Sequence, residues 1–345
     1  MAIAFLNGEF MDVSEARVAA LDAGLQHGVG VFDTMLGGVV LAEADALDDD
    51  APEPQAWVLA LDEHLARVAT SCQELGLSND LSTDGLSRAV LETVRRSMLR
   101  RARIRITVTG GPLNLLRRDP SGKVEQPGSS GAAGQLTILI VASAATEYPE
   151  AMLTRGVSAV IADTKANPFN AFESHKTLNY WWRLRELQLA AAKGAAEAMV
   201  FSVTNHLCGG CVSSVLLMHK GEVKTPLARG EEGATFEPGA TEPATAGAGE
   251  VKRAPGILPS PVLPSITRTW AIRQLASEGI VVRRCMLTIN DLLEADEVLL
   301  CNSSWGVLPV VQVEGRLVGS GSPGSIGQRL VRAWRDELAS PPLWE

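Results

Sequence analysis

The chain has 345 residues, 46% of them hydrophobic, which suits about two domains and supplies apolar side chains for their cores. No apolar run approaches the roughly 20 residues of a membrane span, and residues 1–8 lack the basic start and long apolar stretch of a signal peptide. A net charge of −9 argues against a nucleic-acid partner, and five cysteines, an odd number, fit a reducing cytoplasm better than a disulfide scaffold.

Residues 4–10 read as a hairpin with Asn7-Gly8 at its turn. Gly28-Val29-Gly30 is weak evidence for a phosphate loop, because the third glycine of a dinucleotide fingerprint is absent. Residues 43–55 are acidic and proline-containing, the pattern of a solvated loop. A helix is predicted from Leu61 to about Leu75 and another from Asp84 to Arg100. Residues 103–110 alternate polar and apolar, a half-buried strand with Arg103, Arg105, Thr107 and Thr109 on one face. Arg105 there either binds a substrate carboxylate or faces solvent. A Gly/Ser/Pro-rich loop over 120–134, a buried strand over 136–141, a link over 142–152 and a strand over 157–162 follow.

The rest of the chain is organised around residues 175–226. Leu178, Trp181, Trp182, Leu184, Leu187 and Ala191 are spaced for a helix, and Gly194 stops it. A strand over 197–203, a turn over 204–211, a strand over 212–219 and a closing segment at 222–226 come next. Taken alone, Lys176 is either a solvated lysine or one that carries an aldehyde cofactor as a Schiff base. Cys208-Gly209-Gly210-Cys211 is either a redox pair or two structural thiols, and a zinc site would need a second pair. Residues 228–260 are low in complexity and read as a passive flexible loop. A helix from Leu263 to about Gly279 and a strand over 281–284 complete the regular elements.

Lys176-Thr177-Leu178-Asn179-Tyr180, the helix, Gly194-Ala195-Ala196-Glu197-Ala198, the strand-turn-strand and Lys224-Thr225-Pro226 resemble the class IV aminotransferases. That pyridoxal 5'-phosphate family includes branched-chain and D-amino acid aminotransferases and aminodeoxychorismate lyases. Further matches are the Gly28–Thr34 stretch Gly-Val-Gly-Val-Phe-Asp-Thr, the Glu63–Val68 stretch Glu-His-Leu-Ala-Arg-Val, Pro264-Ser265-Ile266-Thr267-Arg268, and residues 287–298. The resemblance implies an α/β (α+β two-domain) fold of fold-type IV, D-amino acid aminotransferase-like. Its domains are expected at 1–145 and 146–345, with the cofactor between them. The second would carry Lys176 and an insertion at about 228–260.

The resemblance makes Lys176 the catalytic Schiff-base residue and proton carrier. It assigns cofactor binding to Arg67, Tyr180, Ile266, Thr267 and Ser303, and substrate binding to Phe32, Thr34, Arg105 and Ser304, with no metal. A guanidinium fork suits a phosphate, although Arg67 is otherwise an ordinary surface arginine. The first amides of a helix lack intrahelical partners, which suits the anion role given to Ile266 and Thr267. The resemblance also implies a homodimer acting on an amino acid and a 2-oxo acid, and the composition adds a cytoplasmic location with neither membrane nor nucleic acid as partner.

Two departures stand out. Thr109-Gly110-Gly111 lacks the arginine with which D-amino acid aminotransferases trap the substrate carboxylate. Gly209 stands where the family has a glutamate that keeps the cofactor's ring nitrogen protonated. The leading expectation is transfer of an amino group. Cys301-Asn302 leaves aminodeoxychorismate lyase as an alternative, and Gly209 leaves a non-catalytic relative as another.

Overall fold

The computed structural model describes residues 2–40, 54–112, 136–232 and 258–341. The predicted loops over 43–55, 120–134 and 228–260 fall largely outside these residues. Two compact units emerge: Met1–Glu147 with His175–Asn179 and Ser340–Glu345, and Tyr148–Ser174 with Tyr180–Ala339.

In the first unit, strands β1 (Ile3–Leu6) and β2 (Glu9–Asp12) form the predicted hairpin. Asn7 and Gly8 take φ values of 49° and 104° at its turn, the positive region that Asn-Gly tolerates. A short helix α1 (Ala23–His27) precedes strands β3 (Gly30–Val40) and β4 (Gln55–Val58). Helices α2 (Leu61–Glu74) and α3 (Thr83–Ser97) and strands β5 (Ala102–Thr109) and β6 (Thr137–Ala144) follow. The six strands run β2-β1-β6-β5-β3-β4, antiparallel throughout. Val31, Met35, Ile104, Ile106 and Val108 pack with Leu65, Val68, Val90 and Val94 of the two helices. Strand side chains alternate between faces, so Phe32 and Thr34 belong to the face opposite that core.

The second unit contains α4 (Glu150–Arg155), β7 (Val157–Ile161), α5 (Trp181–Ala192) and β8 (Glu197–Phe201). Then come β9 (Leu207–Gly210), β10 (Ser214–His219), β11 (Glu222–Pro226) and α6 (Ile266–Ser277). The unit ends with β12 (Val282–Cys285), α7 (Ile289–Leu293), β13 (Glu297–Asn302), β14 (Gly306–Val313), β15 (Arg316–Leu317) and α8 (Ser325–Ala339). Its sheet runs β12-β11-β10-β13-β14-β7-β8-β9, with β15 on β14. The pairs β11–β12, β14–β7 and β7–β8 are parallel.

Three expectations change. The lysine segment belongs to the first unit, not the second, because it pairs with β3: Phe32 N donates to Lys176 O at 2.7 Å and Leu178 N to Gly30 O at 2.9 Å. The predicted turn over 204–211 contains β9, whose Gly209 and Gly210 lie opposite Val200 and Met199. The predicted link over 142–152 is partly regular, since β6 reaches Ala144 and α4 starts at Glu150.

Candidate active site

The first unit holds the lysine. Val31 and Thr177 form an antiparallel bridge, so the backbone on both sides of Lys176 is tied to β3. Lys176 Nζ lies 5.4 Å from the centre of the Phe32 ring. Arg105 Cζ lies 3.8 Å from the same ring, and Arg105 is opposite Thr34 in the β3–β5 register. The structure therefore brings Lys176, Phe32, Thr34 and Arg105 to one face of the sheet. Two cations stacked about one aromatic ring make that face suited to a carboxylate.

On the other face, Asp33 is 1% exposed and organises a buried cluster. Arg67 grips it with both prongs, Nε to Oδ2 at 2.9 Å and Nη2 to Oδ1 at 2.8 Å. His64 Nδ1 lies 3.1 Å from Oδ1, which also accepts from Thr34 N at 2.7 Å. Burial alone would raise the Asp33 carboxyl, but the Arg67 charge and His64 outweigh it and hold it well below the usual carboxylate range. Burial likewise pushes His64 down, beyond what Asp33 restores, so it is neutral at pH 7. Arg67 is no surface arginine: its side chain is 13% exposed. The sequence reading missed Asp33 and His64. The signal was available, since His64 and Arg67 are three apart on α2 and Asp33 sits at an inward position of β3.

The second unit supplies hydroxyls and helix amides. Ser265 caps α6, its Oγ accepting from Arg268 N at 3.2 Å. The amides of Ile266 and Thr267 belong to the first turn, which has no intrahelical acceptors. Thr267 Oγ1 lies 3.4 Å from Ser303 Oγ. Asn302 shapes the following turn: its Oδ1 accepts from Ser304 N at 2.9 Å and Trp305 N at 3.1 Å, and its Nδ2 donates to Val212 O at 3.3 Å. Tyr180 OH donates to Cys211 O at 3.0 Å.

The turn after Gly209 is built round a buried carboxylate. Glu197, 0% exposed, accepts from Ala198 N, Cys211 N, Val212 N and Ser213 Oγ at 2.8–3.3 Å. Burial raises its carboxyl despite these donors. Gly209 has φ +136°, and a Cβ there would lie 2.8 Å from Ser213 O. The glycine is required by the backbone, so a glutamate does not fit this turn. Cys208 and Cys211 are free thiols that burial pushes up to about 12. They are protonated at neutral pH and behave as small apolar groups rather than a reactive pair.

Helix amides, paired hydroxyls and a pinned arginine are donors of the kind a phosphate needs, and Lys176 beside an aromatic ring suits an aldehyde. Each unit by itself thus carries groups of a kind that a phosphorylated aldehyde cofactor uses, with Gly209 contributing no acid. Comparison with known proteins agrees. The family model for amino-transferase class IV matches residues 30–235 and 249–313. A Methanocaldococcus jannaschii protein with a provisional branched-chain-amino-acid aminotransferase name is 26% identical over 333 residues, 96% of this chain and 95% of that one. The D-alanine aminotransferase of Bacillus licheniformis is 24% identical, covering 97% of this chain and 96% of its own length. The fold matches the branched-chain amino acid aminotransferase of Escherichia coli with a TM-score of 0.74 at 22% identity, covering 97% of this chain and 93% of that one. With the family pattern spanning most of its length, this chain belongs to the class IV aminotransferases, enzymes that work on pyridoxal phosphate.

Proposed function

We propose that Lys176 carries the cofactor and moves the proton in transfer of an amino group between an amino acid and a 2-oxo acid. The observation that carries this reading is the placement of Lys176 Nζ and the Arg105 guanidinium about the Phe32 ring. When bound, pyridoxal phosphate supplies the carbonyl that takes up the amino group and a sink for electrons. Arg67, Ile266, Thr267 and Ser303 would hold its phosphate, and Tyr180 would serve its ring oxygen. Arg105 and Ser304 bind the substrate carboxylate, while Phe32 and Thr34 form the wall beside it. Lys176 Nζ then shuttles one proton at the substrate carbon, a task for an amine held close to it.

The names of the relatives support an aliphatic amino acid as donor. The absence of an arginine at Gly110 supports an L- rather than a D-amino acid. Five free cysteines support a reducing cytoplasm. A homodimer is supported by the apolar side chains that the second unit exposes: Phe169, Phe172, Trp181 and Leu184.

Borohydride reduction followed by peptide mapping tests the assignment. The pyridoxyl group is expected on Lys176, and its appearance on Lys165 or Lys193 overturns the reading. Incubation of the same preparation with aminodeoxychorismate distinguishes the lyase alternative by release of 4-aminobenzoate.

A further inference from the structure

The segment leading into residues 233–257 is fixed by two glutamates with different tasks. Glu232 accepts from Gly230 N at 2.7 Å and from Ser260 N. Ser260 Oγ donates to Leu227 O at 2.6 Å, and Arg229 N donates to Val262 O at 2.9 Å. The two stems are thereby tied to each other. Glu231 instead serves the body of the unit. Its Oε2 accepts from Ala228 N at 2.8 Å, while its Oε1 takes both Arg268 Nη2 and Arg284 Nε, the latter at 3.2 Å.

Both arginines are buried. Arg268 is 1% exposed and the Arg284 side chain 2%. Arg268 also donates from Nη1 to Pro226 O at 2.7 Å, and its Nε has no hydrogen-bond partner among the described residues. Burial, and then the Arg268 charge, push the Arg284 guanidinium down. Two guanidinium groups thus converge on one carboxylate oxygen inside the protein. Removing that carboxylate leaves like charges facing each other out of water, a costly arrangement. Arg268 cannot retreat alone. It is the third residue of α6, directly after Ile266 and Thr267, and its amide is bound to the Ser265 cap.

We propose that Glu231 is a positioning residue for the phosphate end of the cofactor site. It holds Arg268 against Arg284 and so sets the first turn of α6. This rests on the reading above that the amides of Ile266 and Thr267 bind the phosphate. The stem of the predicted insertion is then a support of the site, contrary to the expectation of a passive loop.

The test compares pyridoxal phosphate with pyridoxal, which lacks only the phosphate. Apoprotein of the wild type, Glu231→Gln and the double variant Glu231→Gln/Arg284→Met is titrated with each by tryptophan fluorescence. Glu231→Gln is expected to lose about tenfold in affinity for pyridoxal phosphate, the scale of a charged hydrogen bond, and nothing for pyridoxal. The double variant, relieved of one guanidinium, is expected to recover most of the preference. An equal loss for both ligands, or an unchanged preference, overturns the proposal and leaves Glu231 a structural residue. Should Glu231→Gln fail to fold, the double variant decides alone: preference for the phosphate supports the proposal, and its loss overturns it. A wild type that binds both ligands equally refutes the phosphate assignment itself, a result separate from any behaviour of the variants.

Discussion

Asp33 gathers Arg67, His64 and the Thr34 amide onto one buried carboxylate. Its folded pKa lies below the ordinary 3.8. Stability from this group is therefore fully present above the unfolded value and lost as pH falls through the folded one. Asp33→Asn is expected to cost about 3 kcal/mol at neutral pH, the scale for breaking a buried pair. The difference in urea midpoint from wild type should hold at about pH 7 and shrink below about pH 3. A difference that grows with acidity would contradict the ion pair. His64 adds a slope of its own. Its folded pKa is below 6.5, so the unfolded chain binds a proton first and stability declines as pH drops beneath that value. Arg67 was singled out from its contiguous motif, but its pairing with Asp33 was not read. Asp33 was not singled out, because its partners come from a helix that starts 28 residues later by numbering, Asp33 to Leu61.

Among elements, hairpin β1–β2 was legible from Asn-Gly at its turn, and helices α2 and α6 from contiguous family motifs, whereas the Ser265 cap of α6 was not read. Strand β9 was hidden, since Gly209 and Gly210 carry no strand propensity and their pairing with β8 is a tertiary choice. Helix α8 was passed over although Ile326, Leu330 and Trp334 recur at four-residue spacing and are buried. The family motifs that guided the reading end near Val310. The β9 turn also decides how Gly209 is understood. Its identity was plain in the sequence, but not that φ and the nearby Ser213 carbonyl demand it. Gly209→Ala is expected to destabilise the protein by about 1–3 kcal/mol, the cost of a strained backbone, read from the thermal midpoint. Gly209→Glu should suffer likewise and restore no activity. A Gly209→Glu variant with wild-type stability and faster single-turnover transfer would show that the turn accepts the acid.

At the scale of the whole molecule, four exposed apolar side chains, Phe169, Phe172, Trp181 and Leu184, fall close together in the sequence of the second unit. Trp181 and Leu184 lie one turn apart on α5 at 80% and 50% exposure. The Glu173–Arg183 ion pair, 3.2 Å long, holds the segment bearing Phe169 and Phe172 to the same helix. Exposed apolar side chains gathered on one helix and the segment tied to it favour association. On the proposal that two copies associate through this helix, Leu184→Glu is expected to leave a monomer in sedimentation velocity while the far-ultraviolet spectrum stays unchanged. A dimer that survives this substitution would place the interface elsewhere. Two α/β units were legible from length and motif order, whereas the return of residues 175–179 to the first unit was not, because a five-residue excursion leaves no mark in composition.

That excursion makes the chain a natural subject for a split-protein experiment. A gene severed after codon 147 yields one polypeptide that keeps Arg67 but lacks Lys176, and a second that keeps Lys176 but lacks the strand to which its backbone is laced. Neither half owns a complete lysine environment. Reductive labelling of Lys176 on mixing the two halves would therefore report their reassembly.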